Sequence, residues 1–253
     1  MRLRFWVPGF LAGLFATGAM AETVIVLYHL RPPYFMEREG RLAGLTAERA
    51  AAAFRQAGVE TRWVKAGARK HLPTIRADKL ALCSPGWFRN KKREKFARFS
   101  KPIYQDHATV ILTRGNGLPL GHLSVESLTL DKRLLLLTKQ GYSYGHWLDR
   151  QMLYARPHLR SISTVLENHG MAKMIAANRA DYMFTPMEEG RNLLAREDLK
   201  GKGLVLAPLS DMPEGETRHI VCSRKVPVEV MQRLDRAIDA LQASGGQPLR
   251  ERL

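Results

Sequence analysis

LALCSPGWFRNKKREKFARFSKPIY, residues 80–104, decides how the chain reads. An apolar strand, Leu80 to Ser84, runs into a Gly-aromatic turn at Gly86-Trp87-Phe88, then a basic segment, then Phe99-Ser100-Lys101-Pro102. That succession describes one wall of a ligand cleft. Arg93, six residues before Phe99, stands where such a turn would aim a guanidinium into the cleft, and its planar five-donor fork suits a carboxylate or similar anion. Arg89, Lys91, Lys92, Lys95 and Arg98 crowd the same segment, so most of its charge must face solvent.

At the N-terminus, Arg2 and Arg4 precede an apolar run from Phe5 to Gly18 and the small-residue triplet Ala19-Met20-Ala21. This is the pattern of a secretory signal peptide over residues 1–21, cleaved before Glu22. The run is shorter than the roughly 20 residues of a spanning helix, and no later stretch approaches that length. The expectation is a soluble, monomeric protein of the periplasm, without a lipid anchor because no Cys follows the cleavage site. Removing residues 1–21 from the 253 leaves 232, and takes the formal charge from +16 to +14. Such a length holds one large domain or two of about 100 residues. A basic surface favours anionic partners or an anionic membrane face. Nucleic acid is not expected, since neither the compartment nor any motif suits it.

The two cysteines, Cys83 in LALCSP and Cys222 in RHIVCSRK, each lie in an apolar, strand-like run. An oxidising compartment permits a bridge between them if those strands are neighbours, and two separate buried thiols are the alternative. The eight His are scattered without ligand spacing, so neither a metal nor a cofactor is expected.

Short β-rich runs alternate with helical ones, the pattern of an α/β fold. Strands are expected at 23–30, 59–64, 80–84, 108–113, 134–138, 182–185, 204–207 and 219–223. Helices of 3.6-residue period are expected at 45–57, 145–154, 166–178, 188–195 and 228–243. Two extended segments, Tyr104 to His107 and Leu209 to Thr217, lack helical pattern. If both are hinges, residues 22–105 with 216–253 form one lobe and 106–215 the other, an arrangement suited to closing on a guest.

The order of features resembles the extracellular solute-binding proteins of family 3, the amino-acid-binding type with a two-lobed periplasmic fold. The matching motifs are Arg31-Pro32-Pro33-Tyr34 after the first strand, Gly44-Leu45-Thr46 opening the first helix, and the Arg93 to Phe99 spacing. Pro102-x-Tyr104, Lys139-Gln140-Gly141 and Asn178-Arg179-Ala180-Asp181 follow in register. CSPGWF and GYSYG look closest to a proteobacterial branch of the family. The resemblance implies a type II binding-protein fold with two crossings, capture of a small polar solute by hinge closure, and delivery to an ABC permease or a membrane sensor.

It also implies roles for particular residues. Arg93 corresponds to the family's α-carboxylate receptor, and Gly141, Tyr142 and Ser143 occupy the turn whose backbone N–H groups hold the same group at a helix start, where the dipole favours anions. Ser143 could equally be the N-cap of that helix. Five residues after Asp181 the family's ammonium-binding acid is replaced by Pro186, with Glu188 and Glu189 the nearest candidates. Arg31 stands where the family carries an aromatic ring. These departures point away from a standard amino acid and toward an anionic, carboxylate-bearing or otherwise polar small molecule. Tyr34, Trp87, Phe88, Tyr142 and Tyr144 complete the expected cleft as rings that sandwich a ligand and exclude water.

One enzymatic alternative is written in the sequence. Gly141-Tyr142-Ser143-Tyr144-Gly145 is G-x-S-x-G between an apolar strand and a helix, the setting of a nucleophile elbow, with Asp181 and His219 available in order as acid and base. No HGGG-like oxyanion segment precedes it, so the expectation is a binding protein and not a serine hydrolase.

Overall fold

VIVLY, residues 24–28, is apolar at all but its last position, as a strand covered on both faces must be. It is the first strand of the computed structural model, which describes residues 23–118, 121–244 and 249–250; the signal peptide read at 1–21 lies outside them. In chain order come β1 (Val24–Tyr28), β2 (Met36–Arg38), β3 (Arg41–Ala43), α1 (Ala47–Gln56), β4 (Thr61–Lys65), α2 (Ala68–Ala77), β5 (Leu82–Phe88), α3 (Lys91–Glu94) and β6 (Arg98–Gln105). Next are β7 (Thr109–Arg114), α4 (Val125–Leu130), β8 (Leu136–Lys139), α5 (His146–Ala155), β9 (Ser161–Thr164), α6 (Asn168–Ala176), β10 (Tyr182–Pro186), α7 (Met187–Leu194) and β11 (Leu204–Ala207). β12 (Thr217–Cys222) and α8 (Val228–Ala243) follow.

Two five-stranded sheets result, ordered β4-β1-β5-β12-β6 and β11-β7-β10-β8-β9, with β2 and β3 as a separate hairpin. In the first sheet β1 runs parallel to β4 and β5, while β12 pairs antiparallel with both β5 and β6. Val24 and Val26 of β1 join α1 and α8 in one apolar layer, and Ile25 and Leu27 join α2 in the other. The second sheet is likewise covered twice, by α4 and α5 around Ile111, Leu148 and Tyr182, and by α6 and α7 around Leu112, Met171 and Leu193. Burial on both faces is what the near-continuous apolar runs require.

Several elements differ from the sequence expectation. β5 does not end at Ser84 but continues to Phe88, because Gly86 adopts φ +87° and absorbs an extra residue as a bulge opposite His219 and Ile220. α2 forms despite Pro73 within it, and β6 forms over Phe99-Ser100-Lys101-Pro102 and its flanks, where no strand is expected from the sequence. Cys222 lies directly opposite Cys83 on the β5–β12 pair, with Cα atoms 4.0 Å apart and the sulfurs bonded. The alternative of two separate thiols therefore does not hold.

The chain leaves the first sheet after Gln105, enters the second at Thr109, and returns to the first at Thr217. The two connecting segments lie side by side: Asp106 N–H donates to Glu216 O at 3.1 Å. Gly215 is obligatory there, since a Cβ on it would stand 2.1 Å from Asp106 O.

Candidate ligand-binding cleft

Between the two sheets opens a narrow cleft, lined from the first sheet's side by His29, Arg31, Tyr34, Trp87, Phe88, Arg93 and Arg218, and from the other by Tyr142 and Ser143. His29 and Arg31 follow β1, and Trp87 and Phe88 end β5. The site thus sits at the carboxyl ends of parallel strands, where open α/β sheets present their ligand crevices. Tyr144 faces an adjoining cavity that also contains Lys139, Asn168 and Phe184. Gly141 lies outside both, in a groove beside Leu72 and Trp87.

Arg93 is 8% exposed. Asn90 Oδ1 accepts from its backbone N–H at 3.0 Å and fixes the short helix α3, while its Nη1 donates to Phe88 O at 2.6 Å. The guanidinium stacks on Trp87, 5.1 Å from the ring centroid. Burial lowers its pKa, and the Asp149 carboxylate pulls the other way from the second sheet's side. Asp149 itself is committed, accepting from the Ser143 hydroxyl at 2.5 Å and from Tyr144 N–H at 2.8 Å. Among the described residues no carboxylate forms an ion pair with Arg93.

Trp87 is held by a chain that sequence reasoning did not find. Its Nε1–H donates to Ser84 Oγ at 2.8 Å, and Ser84 Oγ lies 2.8 Å from His71 Nδ1. His71 Nε2 sits 3.0 Å from Ala66 O, which can only accept, so Nε2 carries the proton and Nδ1 accepts from the serine hydroxyl. Burial lowers the His71 pKa and keeps the ring neutral, as that chain demands.

His29 stands edge-on to His71, ring centroids 5.2 Å apart, and its buried Nε2 has no hydrogen-bond partner although the residue lines the cleft. Burial, then the neighbouring His71 and Arg31, push its pKa down to about 2. The folded protein therefore holds neutral imidazole, whereas the unfolded chain binds a proton below about pH 6.5. Stability is complete above that pH and is lost on acidification, by up to about 1.4 kcal/mol per pH unit. Melting temperatures should fall as buffers go from about pH 7.5 to about 5, and His29→Gln should flatten that slope. Identical slopes in both proteins would remove His29 as a cause.

Arg31 bridges to the second sheet's side. Its Nε and Nη2 donate to Glu189 Oε1 and Oε2 at 3.1 and 2.8 Å. Burial works against both charges, but each partner outweighs it for the other: Arg31 is held above its ordinary pKa and Glu189 below. The Arg31 Cζ lies 5.4 Å from the Tyr34 ring centroid and 5.1 Å from that of Tyr142. Of the two candidate replacements for the acid lost at Pro186, Glu189 is thus the one at the cleft, and it is occupied. Glu188 turns to the connecting segments, where its Oε1 accepts from Tyr104 Oη at 2.9 Å and from His107 N at 2.8 Å.

The cleft floor is a buried ion pair. Arg218 Nε and Nη2 donate to Asp106 Oδ1 and Oδ2, both at 2.7 Å, and Nη1 donates to Gly86 O at 2.9 Å. Tyr34 Oη donates to the same Asp106 Oδ1 at 3.0 Å, beneath a guanidinium 3.9 Å from its ring centroid. Lys139 Nζ pairs with Glu167 and lies 4.3 Å from the Tyr142 centroid.

The helix-start reading of Gly141-Tyr142-Ser143 needs correction. α5 begins only at His146, and the His146 N–H is taken by Glu216 Oε1 at 2.6 Å. Gly145, at φ +100°, admits that carboxylate; a Cβ there would stand 2.6 Å from Glu216 Cγ. Ser143 contributes its hydroxyl to Asp149, and Tyr144 Oη accepts from Lys139 N at 2.8 Å. The hydrolase alternative also fails: His219 binds Ser100 O and Thr217 Oγ1, and Asp181 binds Arg114 and Leu135 N, so neither reaches Ser143.

Residues 23–247 match the bacterial extracellular solute-binding proteins, family 3. The chain belongs to that family. As a family 3 solute-binding protein it is a binder and not an enzyme, and its α/β, two-lobed architecture is shared by solved structures. One is an ancestral arginine-binding protein bound to glutamine, 16% identical with a TM-score of 0.69, covering 89% of this chain and 94% of that one. Another, from Streptococcus mutans, concerns glutathione import via GshT and the cystine ABC importer TcyBC; it is 13% identical with a TM-score of 0.72 over 89% and 91%. The amino acid ABC transporter substrate-binding protein AbpA from Streptococcus pneumoniae, bound to L-arginine, is 16% identical with a TM-score of 0.70 over 88% and 90%. No curated protein matches the chain. Family 3 proteins are typically extracellular or periplasmic, and no described helix of this one is long and apolar enough to cross a membrane.

Proposed function

We propose that this family 3 protein captures a small, carboxylate-bearing solute in the cleft by hinge closure and delivers it to an ABC importer, as an exported periplasmic monomer. The observation that carries the reading is Arg93: a buried guanidinium stacked on an anchored indole, at the cleft surface, with no ion-pair partner among the described residues. A cation so placed is completed by an anionic guest, and a carboxylate matches its fork in two parallel hydrogen bonds. Amino-acid-sized ligands of the kind named for the solved relatives carry such a group.

Residues 22–105 with 216–253 form one lobe and 106–215 the other, the segments at 106–108 and 208–216 acting as hinges. Arg93, Trp87, Phe88 and Tyr34 hold the solute from one side, Tyr142 and Ser143 from the other. A solute that touches both lobes favours the closed form by its extra affinity for it. Neither lobe alone should bind tightly.

A thermal-shift screen of organic acids, amino acids and peptides identifies ligands, since binding stabilises the folded state by mass action. For a carboxylate hit, Arg93→Ala should cost about 1.5–3 kcal/mol of binding free energy, the worth of hydrogen bonds to a charged group. Calorimetry showing unchanged affinity would take Arg93 out of the site.

A further inference from the structure

We propose that Arg31 is a resident occupant of the cleft's own cation subsite, so that the solute this protein selects is a carboxylate without an ammonium or guanidinium group. The inference rests on the carboxylate reading of Arg93 and adds what the rest of the guest must lack.

The Arg31 guanidinium has the surroundings of a bound cationic ligand. It lies between the Tyr34 and Tyr142 rings and donates in bidentate fashion to Glu189, whose side chain is 3% exposed. The aromatic contacts come from both lobes and the carboxylate from across the cleft, so the chain fills from within a site that would otherwise await a cation.

The other carboxylates at the cleft are already engaged. Asp106 is closed by Arg218, Glu167 is paired with Lys139, and Asp149 accepts from the Ser143 hydroxyl and Tyr144 N–H, its charge already drawn on by Arg93. An ammonium entering beside Arg93 would therefore meet Arg31 and Arg218 in the same cleft, with Glu189 already neutralised. Like charges lining one cleft repel, the more so where their side chains are withdrawn from water. A carboxylate meets the opposite balance, because Arg93 is the cation at this cleft that no ion pair answers among the described residues.

Isothermal titration of L-arginine and of methylguanidinium into wild type, Arg31→Ala and Arg31→Ala/Glu189→Gln reads the subsite without knowledge of the natural solute. Wild type should bind neither probe. Arg31→Ala, verified as folded by circular dichroism, should bind both with a Kd of about a millimolar or tighter, and the added Glu189→Gln should weaken this about tenfold or more. Arg31→Met, which keeps the apolar stem, carries the same readout if the alanine variant fails to fold. In wild type, pyruvate should be preferred to L-alanine, and 2-oxoglutarate to L-glutamate.

Binding of L-arginine by wild type overturns the proposal, as does a folded Arg31 variant that acquires no affinity for either probe, or a preference of wild type for the amino acid in either pair. Failure of the carboxylate reading looks different. There, affinity for carboxylates would be indifferent to Arg93→Ala, while the gain of guanidinium binding on removing Arg31 would still be scored separately.

Discussion

Asp106→Ala is expected to destabilise the protein by about 3–5 kcal/mol, the range for stripping one partner from a buried ion pair. Arg218 is 2% exposed, and both of its parallel hydrogen bonds end on the Asp106 carboxylate. Removing that carboxylate leaves a guanidinium that no solvent reaches and deprives the Tyr34 hydroxyl of its acceptor. Burial pushes the Asp106 pKa up against the pull of Arg218, while Asp106 holds the Arg218 guanidinium above its ordinary value, so each charge depends on the other. Asp106→Leu/Arg218→Met should accordingly be milder than Asp106→Ala, since apolar replacement of both members removes the desolvation cost along with the attraction. Urea denaturation checks both statements, and a single-variant loss of under about 1 kcal/mol would show the pair to be hydrated.

Cys83→Ala/Cys222→Ala is expected to cost about 4–5 kcal/mol, because the bridge closes a loop of 139 residues and long loops gain most from closure in the chain-entropy account. Its partner strands, β5 and β12, are neighbours at the centre of the first sheet. The loss should be visible in urea titrations as a lower midpoint, with a steeper dependence if the unlinked chain unfolds to a more expanded ensemble. Wild type treated with a reductant while unfolded should converge on the variant. Coincident curves for oxidised wild type and the double variant would mean that the bridge contributes nothing.

Much of the architecture was legible before coordinates. Strands with unbroken apolar composition, such as VIVLY at 24–28 and LVLA at 204–207, can only be covered on both faces, and α8 is bounded by Pro227 and a stretch of period 3.6. What stayed hidden was structure whose signal lies outside its own segment. β6 carries no clear strand pattern because it interrupts its alternation to match β12, more than a hundred positions away, where Tyr104 lies opposite Arg218 and Ser100 Oγ accepts from Ile220 N–H. α2 carries Pro73, which in isolation argues against a helix.

The cleft divides along the same line. Arg93, Trp87 and Tyr34 belong to motifs with a recognisable order, so sequence could nominate them. The partnerships that define their chemistry are long-range: Arg31 with Glu189, Arg218 with Asp106, and His71 through Ser84 with Trp87. No spacing rule connects such positions. His29 did leave one usable trace, since it follows β1, and residues just past the carboxyl end of a parallel strand in an open sheet face the crevice.

β12 stands fourth of five in the first sheet, between β5 and the edge strand β6, yet is supplied by residues 217–222. A ribosome must therefore pass residue 222 before that sheet can receive the strand that joins β5 to β6, and β6 has no strand to lean on until then. The second sheet draws every strand from 109–207 and suffers no such delay. The sheet whose strands are contiguous in sequence thus becomes self-sufficient first, and the sheet that holds β1 is the last to be complete.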